Sequence, residues 1–258
     1  MFKTTIFNKI ASVWTVSVLY SVISYFLFGN TNSIAFLSCF SDCLYWNNHL
    51  DAEPLSIVLP ILPIFCFCAL LSETFVKDFS TIKVYIIPRL NSIKKYYFSK
   101  VVNLFVITFL FVFSIYITIL ALTYIFNFTL SNNDFFNGKI LVIFIQYFLF
   151  AFTSSLFVNV ISLYISSKYS LLTYILFILL YITLILLFKD NTLIQSINPV
   201  VHFFATWKVD SVGYQLFPQY YIGNLKIQSN SSIEYFAFST IFLYITGLRK
   251  TKKNVKEI

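Results

Sequence analysis

Six long, nearly uninterrupted apolar runs, spread along the whole chain, decide what it can fold into. They cover residues 10–28, 54–71, 101–126, 140–165, 169–188 and 233–248. Crossing ~30 Å of hydrocarbon takes about 20 residues of helix, and most of the runs come close to that length or exceed it. In lipid, every backbone N–H and C=O must be bonded within the segment or within a closed barrel. The runs lack the apolar–polar alternation of a barrel strand, so each reads as a helix. Composition agrees. A soluble domain is roughly half apolar and a quarter charged, whereas this chain is 59% apolar and 11% charged, with a mean hydropathy of +0.81. The expected fold is an all-α integral membrane protein: one transmembrane domain over residues 1–258 with six transmembrane helices.

Basic residues collect on the side of the membrane where synthesis leaves them, the cytoplasm. With both termini cytoplasmic, fourteen of the eighteen basic residues fall on the inner side. Six of them crowd into residues 73–100, and five more into the tail from Arg249 to Lys256. The net charge of +8 therefore reads as topology rather than as nucleic-acid affinity. The first run is longer than the apolar core of a cleavable signal peptide. The residues before it read equally as an interfacial helix and as a disordered tail. Between the fifth and sixth runs, residues 191–232 are long enough to re-enter the outer leaflet as a hairpin. Asn198-Pro199 and Phe217-Pro218 are its natural breaks. Heavy use of Ile, Phe, Tyr, Asn and Lys points to a low-GC genome, and so to the plasma membrane of a Gram-positive bacterium.

Chemistry is sparse. Ionisable residues inside a membrane are costly and mark function when present, and the apolar runs hold almost none. Asn103, Gln146 and Asn159 are their clear polar residues, best explained by helix–helix contacts. His49 and His202 lie in outer segments and are expected to be solvated or interfacial. Cys39, Cys43, Cys66 and Cys68 follow no metal-ligand scheme. Five glycines cannot build a phosphate-cradling loop, and no protease motif is present. The chain is not expected to be an enzyme, nor to bind a cofactor or metal.

The stretch 73–100 is different. Phe79, Ile82, Tyr85, Ile86 and Leu90 recur at helical spacing with Asp78, Lys83 and Arg89 between them. Pro88 disfavours helix at Ile87 and ends the segment. A new helix is expected to start at Asn91 or Ser92, both good N-caps, and to lead through Lys94, Lys95 and Lys100 into the third run. An amphipathic face at 79–90 needs a partner of its own.

These residues resemble the permease subunits of type-2 ABC exporters, which share the ABCG-like fold. In that family an acidic residue follows the second span, a coupling helix comes next, and a Pro-Arg and a Lys lead back to the membrane. Glu73, the segment 80–87, Pro88-Arg89 and Lys100 match that pattern. The small Gram-positive permeases of peptide export and bacteriocin immunity look nearest. The chain departs where the family often has a Gly after the acidic residue and here Lys77-Asp78-Phe79-Ser80 stands. The resemblance implies a cytoplasmic ATPase partner that carries ATP and Mg, and a second permease copy or homologous permease. It implies coupling through Glu73, Phe79, Ile82, Lys83, Tyr85, Ile86, Pro88 and Arg89. It also implies a substrate path along the second and fifth spans. Pro60 and Pro63 would kink the second span, and Phe65, Phe67, Tyr174 and Tyr181 would line the path. An uncharged aromatic path suits a hydrophobic or amphipathic cargo such as a peptide. Two other readings stay open: a stand-alone immunity or binding protein, and the substrate-capturing subunit of a vitamin importer.

Overall fold

The computed structural model describes residues 2–28, 61–76, 92–125, 139–188, 191–204 and 229–256. All regular structure among them is helical. The helices are α1 (Phe2–Phe28), α2 (Leu62–Leu71), α3 (Ile93–Ile125), α4 (Lys139–Ser162), α5 (Ser167–Leu187), α6 (Thr192–Ile197), α7 (Pro199–Phe204) and α8 (Ser229–Lys256). Three of these, α3, α4 and α5, are long and apolar enough to cross a membrane. The apolar stretches of α1 and α2 are shorter, at Ala11–Tyr25 and Leu62–Leu71.

α4 is the centre of the bundle. About two thirds of its most apolar window, 67%, is buried, against 22% for α5. It packs along α8, α5 and α3, and its face also meets α2 and α7. Tyr147, Phe150, Ala151, Leu156 and Val158 are fully or almost fully enclosed along it. α1 instead lies along α3. Ser17, Ser21 and Ser24, all buried, put small residues at the α1 contact face, which lets two backbones approach closely. Ser17 and Ser114 join their hydroxyls across it.

The outer faces are apolar. On α3, Val102, Phe105, Val106, Phe109, Phe113 and Ile117 are exposed along one side. Leu172, Leu176, Leu179 and Leu180 do the same on α5. Apolar surface on this scale is untenable in water and is what a bilayer covers.

Local sequence chemistry sets several boundaries. Ser92 starts α3, with its hydroxyl reached by the Lys95 N–H at a long 3.5 Å. At 33 residues and 1.5 Å per residue, α3 is longer than the ~30 Å of hydrocarbon requires, which leaves length for polar turns beyond the apolar run. α3 therefore begins eight residues before the apolar run does, carrying Lys94, Lys95 and Lys100 on helix. α8 likewise extends past the run 233–248 at both ends. The break between α6 and α7 falls at Asn198-Pro199: the Asn198 side chain accepts the Val200 N–H at 2.9 Å, and Pro199 opens the next helix, where its missing N–H costs nothing.

Candidate functional site: a basic end and an aromatic cavity

α2, α4 and α8 run toward one end of the bundle, and α3 and α5 start from it. Phe75, just past α2, meets the Tyr97 ring edge-on at 5.6 Å, and Tyr97 packs on Tyr244 of α8 at 5.3 Å. Lys250 of α8 lies over the ring of Tyr164, between α4 and α5, at 4.9 Å. The lysines and arginine Lys94, Lys95, Lys100, Lys168, Arg249, Lys250, Lys252 and Lys253 all sit on the terminal turns gathered here. Every basic residue with a described side chain is at this end.

The same end holds the exit of the chain toward residues 77–91. Glu73 is exposed in the turn 72–75 that follows α2. Its neighbours are clamped. The Asn159 side-chain Oδ1 accepts the Thr74 hydroxyl at 2.6 Å and the Phe75 N–H at 3.3 Å. The Asn159 amide in turn donates to the Ser155 carbonyl at 2.9 Å. Asn159 is wholly buried, so an apolar surrounding makes these bonds hard to exchange for water. Of the expected coupling residues, Phe79, Ile82, Lys83, Tyr85, Ile86, Pro88 and Arg89 lie outside the described residues, as does Pro60.

The remaining path residues separate. Pro63 stands in the first turn of α2, a position proline tolerates without breaking the helix. Phe67 stacks on Phe111 of α3 at 4.4 Å. Tyr174 turns instead to the opposite side of α2, edge-on to Phe65 at 5.6 Å. Tyr181 packs on Phe177 at 4.5 Å, and its carbonyl accepts the Asn198 amide at 2.9 Å.

Tyr174 belongs to the wall of a cavity of about 410 Å³ between α4, α5, α7 and α8. Its walls are rings, Phe150, Phe157, Phe177, Tyr235 and Phe236 among them, and they hold no charged side chain. Thr153, Ser154 and Ser239 add three hydroxyls. The sequence marked only Tyr174 of these. With thirty-two Phe in the chain, no local signal says which rings turn to a void.

The far end of the bundle is tied by a polar network that the sequence reading missed. His202 is 4% exposed, packed inside the protein rather than solvated or interfacial. Its Nε2 donates to the Ser196 carbonyl at 2.7 Å, which leaves Nδ1 to accept from the Ser232 hydroxyl at 3.2 Å. The ring stacks on Tyr235 at 4.2 Å, and the Gln146 amide donates to the His202 carbonyl. Burial lowers the His202 pKa below its ordinary value, partly offset by the Ser196 carbonyl. Gln146 and Asn159 are thus interior, as their helix positions required, whereas Asn103 is exposed on α3. Among the described residues, no group of His, Cys, Asp and Glu could hold a metal. No protein family, curated protein or solved structure matches the chain.

Proposed function

We propose that the chain is the membrane-spanning permease subunit of an ABC transporter, moving an amphipathic or hydrophobic cargo, most simply a peptide. In this reading it crosses the plasma membrane six times with both termini cytoplasmic, and α6–α7 forms part of a re-entrant hairpin. The observation that carries it is the single basic end. Positive charge marks the cytoplasmic side of a membrane protein, and residues 77–91 leave and rejoin the bundle at that end. The amphipathic face Phe79, Ile82, Tyr85 and Ile86 is thereby offered to a soluble partner, with Lys83 and Arg89 beside it.

The chain supplies no hydrolysis of its own in this scheme. ATP and Mg bind the partner ATPase, whose closure pushes on the segment 77–91. The rigid attachment Glu73–Thr74–Phe75, held by Asn159, passes the push to α4, the helix at the centre of the bundle. A second permease, identical or homologous, completes the transporter.

Purification of the tagged chain from its native membrane tests this. The native chain is expected to bring down an ATPase, and the double variant Tyr85→Asp, Ile86→Asp to lose it while keeping its helicity. Native protein that is folded yet recovers no ATPase removes the transporter reading. The self-contained cavity would then favour a stand-alone binding or immunity protein.

A further inference from the structure

The cavity behind Tyr174 has the chemistry of a ligand site, and its position says where the ligand comes from. α5 and α8 both pack on α4 and on α7, but they do not pack along one another. The space between them is a lateral gap. Phe238 and Phe242, one turn apart on α8, line the cavity yet are 72% and 68% exposed. They form a rim on the surface that lipid covers. The interior beyond is closed at the back by Phe150, Ser154 and Phe157 of α4 and at one end by Pro199.

Three properties define the occupant. At about 410 Å³, the space lies in the 300–1,000 Å³ range of small-molecule pockets, too small for a folded peptide. The lining carries no Lys, Arg, Asp, Glu or His, so a charge brought inside would lose its hydration without gaining a partner. Polarity is present but neutral. Thr153, Ser154 and Ser239 set hydroxyl-bearing side chains into a wall of rings.

We infer that this cavity binds a neutral single-chain amphiphile. The ligand enters from the bilayer between α5 and α8, lays its apolar chain among the rings and sets its uncharged hydroxyl or carbonyl beside Thr153 and Ser154. The site lies within one chain and rests on the membrane reading alone, not on an ATPase partner.

The test uses the purified full chain in lipid nanodiscs, with no ATPase present, photolabelled by a diazirine-bearing long-chain alcohol. Label is expected in the peptides that contain residues 174–178 and 235–243. An excess of the unlabelled alcohol should displace it, and a trimethylammonium amphiphile of equal chain length should not. Ser239→Phe fills the cavity from α8 and should cut the competable label about tenfold, equivalent to losing about 1.4 kcal/mol of binding. Should that variant fail to fold, Ser239→Leu is the smaller filler and is read in the same way. Label spread evenly over exposed α3 and indifferent to competitor overturns the inference. So does equal displacement by the cationic amphiphile, or full competable labelling in a folded filler variant. Failure here leaves the coupling proposal standing, and failure to capture an ATPase leaves this site standing.

Discussion

Asn159 shows how much one buried amide can organise. Its carbonyl oxygen holds Thr74 and Phe75, and its nitrogen is fixed on its own helix. Asn159→Leu keeps the branched shape, though it is bulkier, and strands the Phe75 N–H, while Thr74 can fall back on the Leu71 carbonyl. The expected cost is about 1–2 kcal/mol, seen as a lower unfolding temperature in detergent. Gly247 makes the opposite demand. A Cβ there would overlap the Tyr97 hydroxyl and stand 2.9 Å from both Tyr97 Cζ and Val160 Cγ2. Tyr97 is 1% exposed and has little room to retreat. Gly247→Ala should cost about 1–3 kcal/mol by overpacking, and Tyr97→Leu in that background should recover part of it. Equal losses with and without Tyr97→Leu would contradict the close approach. Asn159 was visible in the sequence as a polar residue in an apolar run. Gly247 was not, because nothing local tells that Tyr97 of another helix crosses at that point.

At the scale of elements, the pairing of α6 and α7 with α8 turns on His202. A buried neutral imidazole protonates less readily than one in the unfolded chain, so the unfolded state binds the proton preferentially. Stability should therefore be full above the ordinary His pKa of about 6.5 and fall as pH drops below it. Thermal unfolding from neutral to mildly acidic pH should show this decline in the native chain, and His202→Gln should flatten it. An unchanged slope in the variant would place the pH response elsewhere. The boundaries of these elements were partly legible. Ser92 and Asn198-Pro199 act through their own backbone, so cap and break could be read from the sequence. Helix length was not. Hydropathy stops at the first lysine, yet α3 continues through Lys94, Lys95 and Lys100 because their amines reach water from helical positions. The burial of His202 was hidden for the same reason as the cavity: its partners Ser196 and Ser232 meet it only through tertiary packing.

For the whole molecule, charge and apolar surface partition along different directions. Among the described side chains the cations gather at one end, bare apolar faces run along the sides, and the uncharged cavity opens between two helices. The apolar runs made a helical membrane protein legible from sequence, because that outcome depends on composition over long windows. The proposed crossing of α8 is the demanding point of the six-span reading, since its apolar stretch is short and its ends are polar. Glu234 and Lys252 lie on this one helix, Glu234 exposed near its start and Lys252 in the basic end. The measurement is cysteine labelling in intact cells with a membrane-impermeant maleimide, in a background with the native cysteines replaced by serine. Glu234→Cys should label from outside, and Lys252→Cys only after the membrane is opened. Labelling of both positions from the same side would mean that α8 does not cross, and the six-span permease with a cytoplasmic basic end would fall with it.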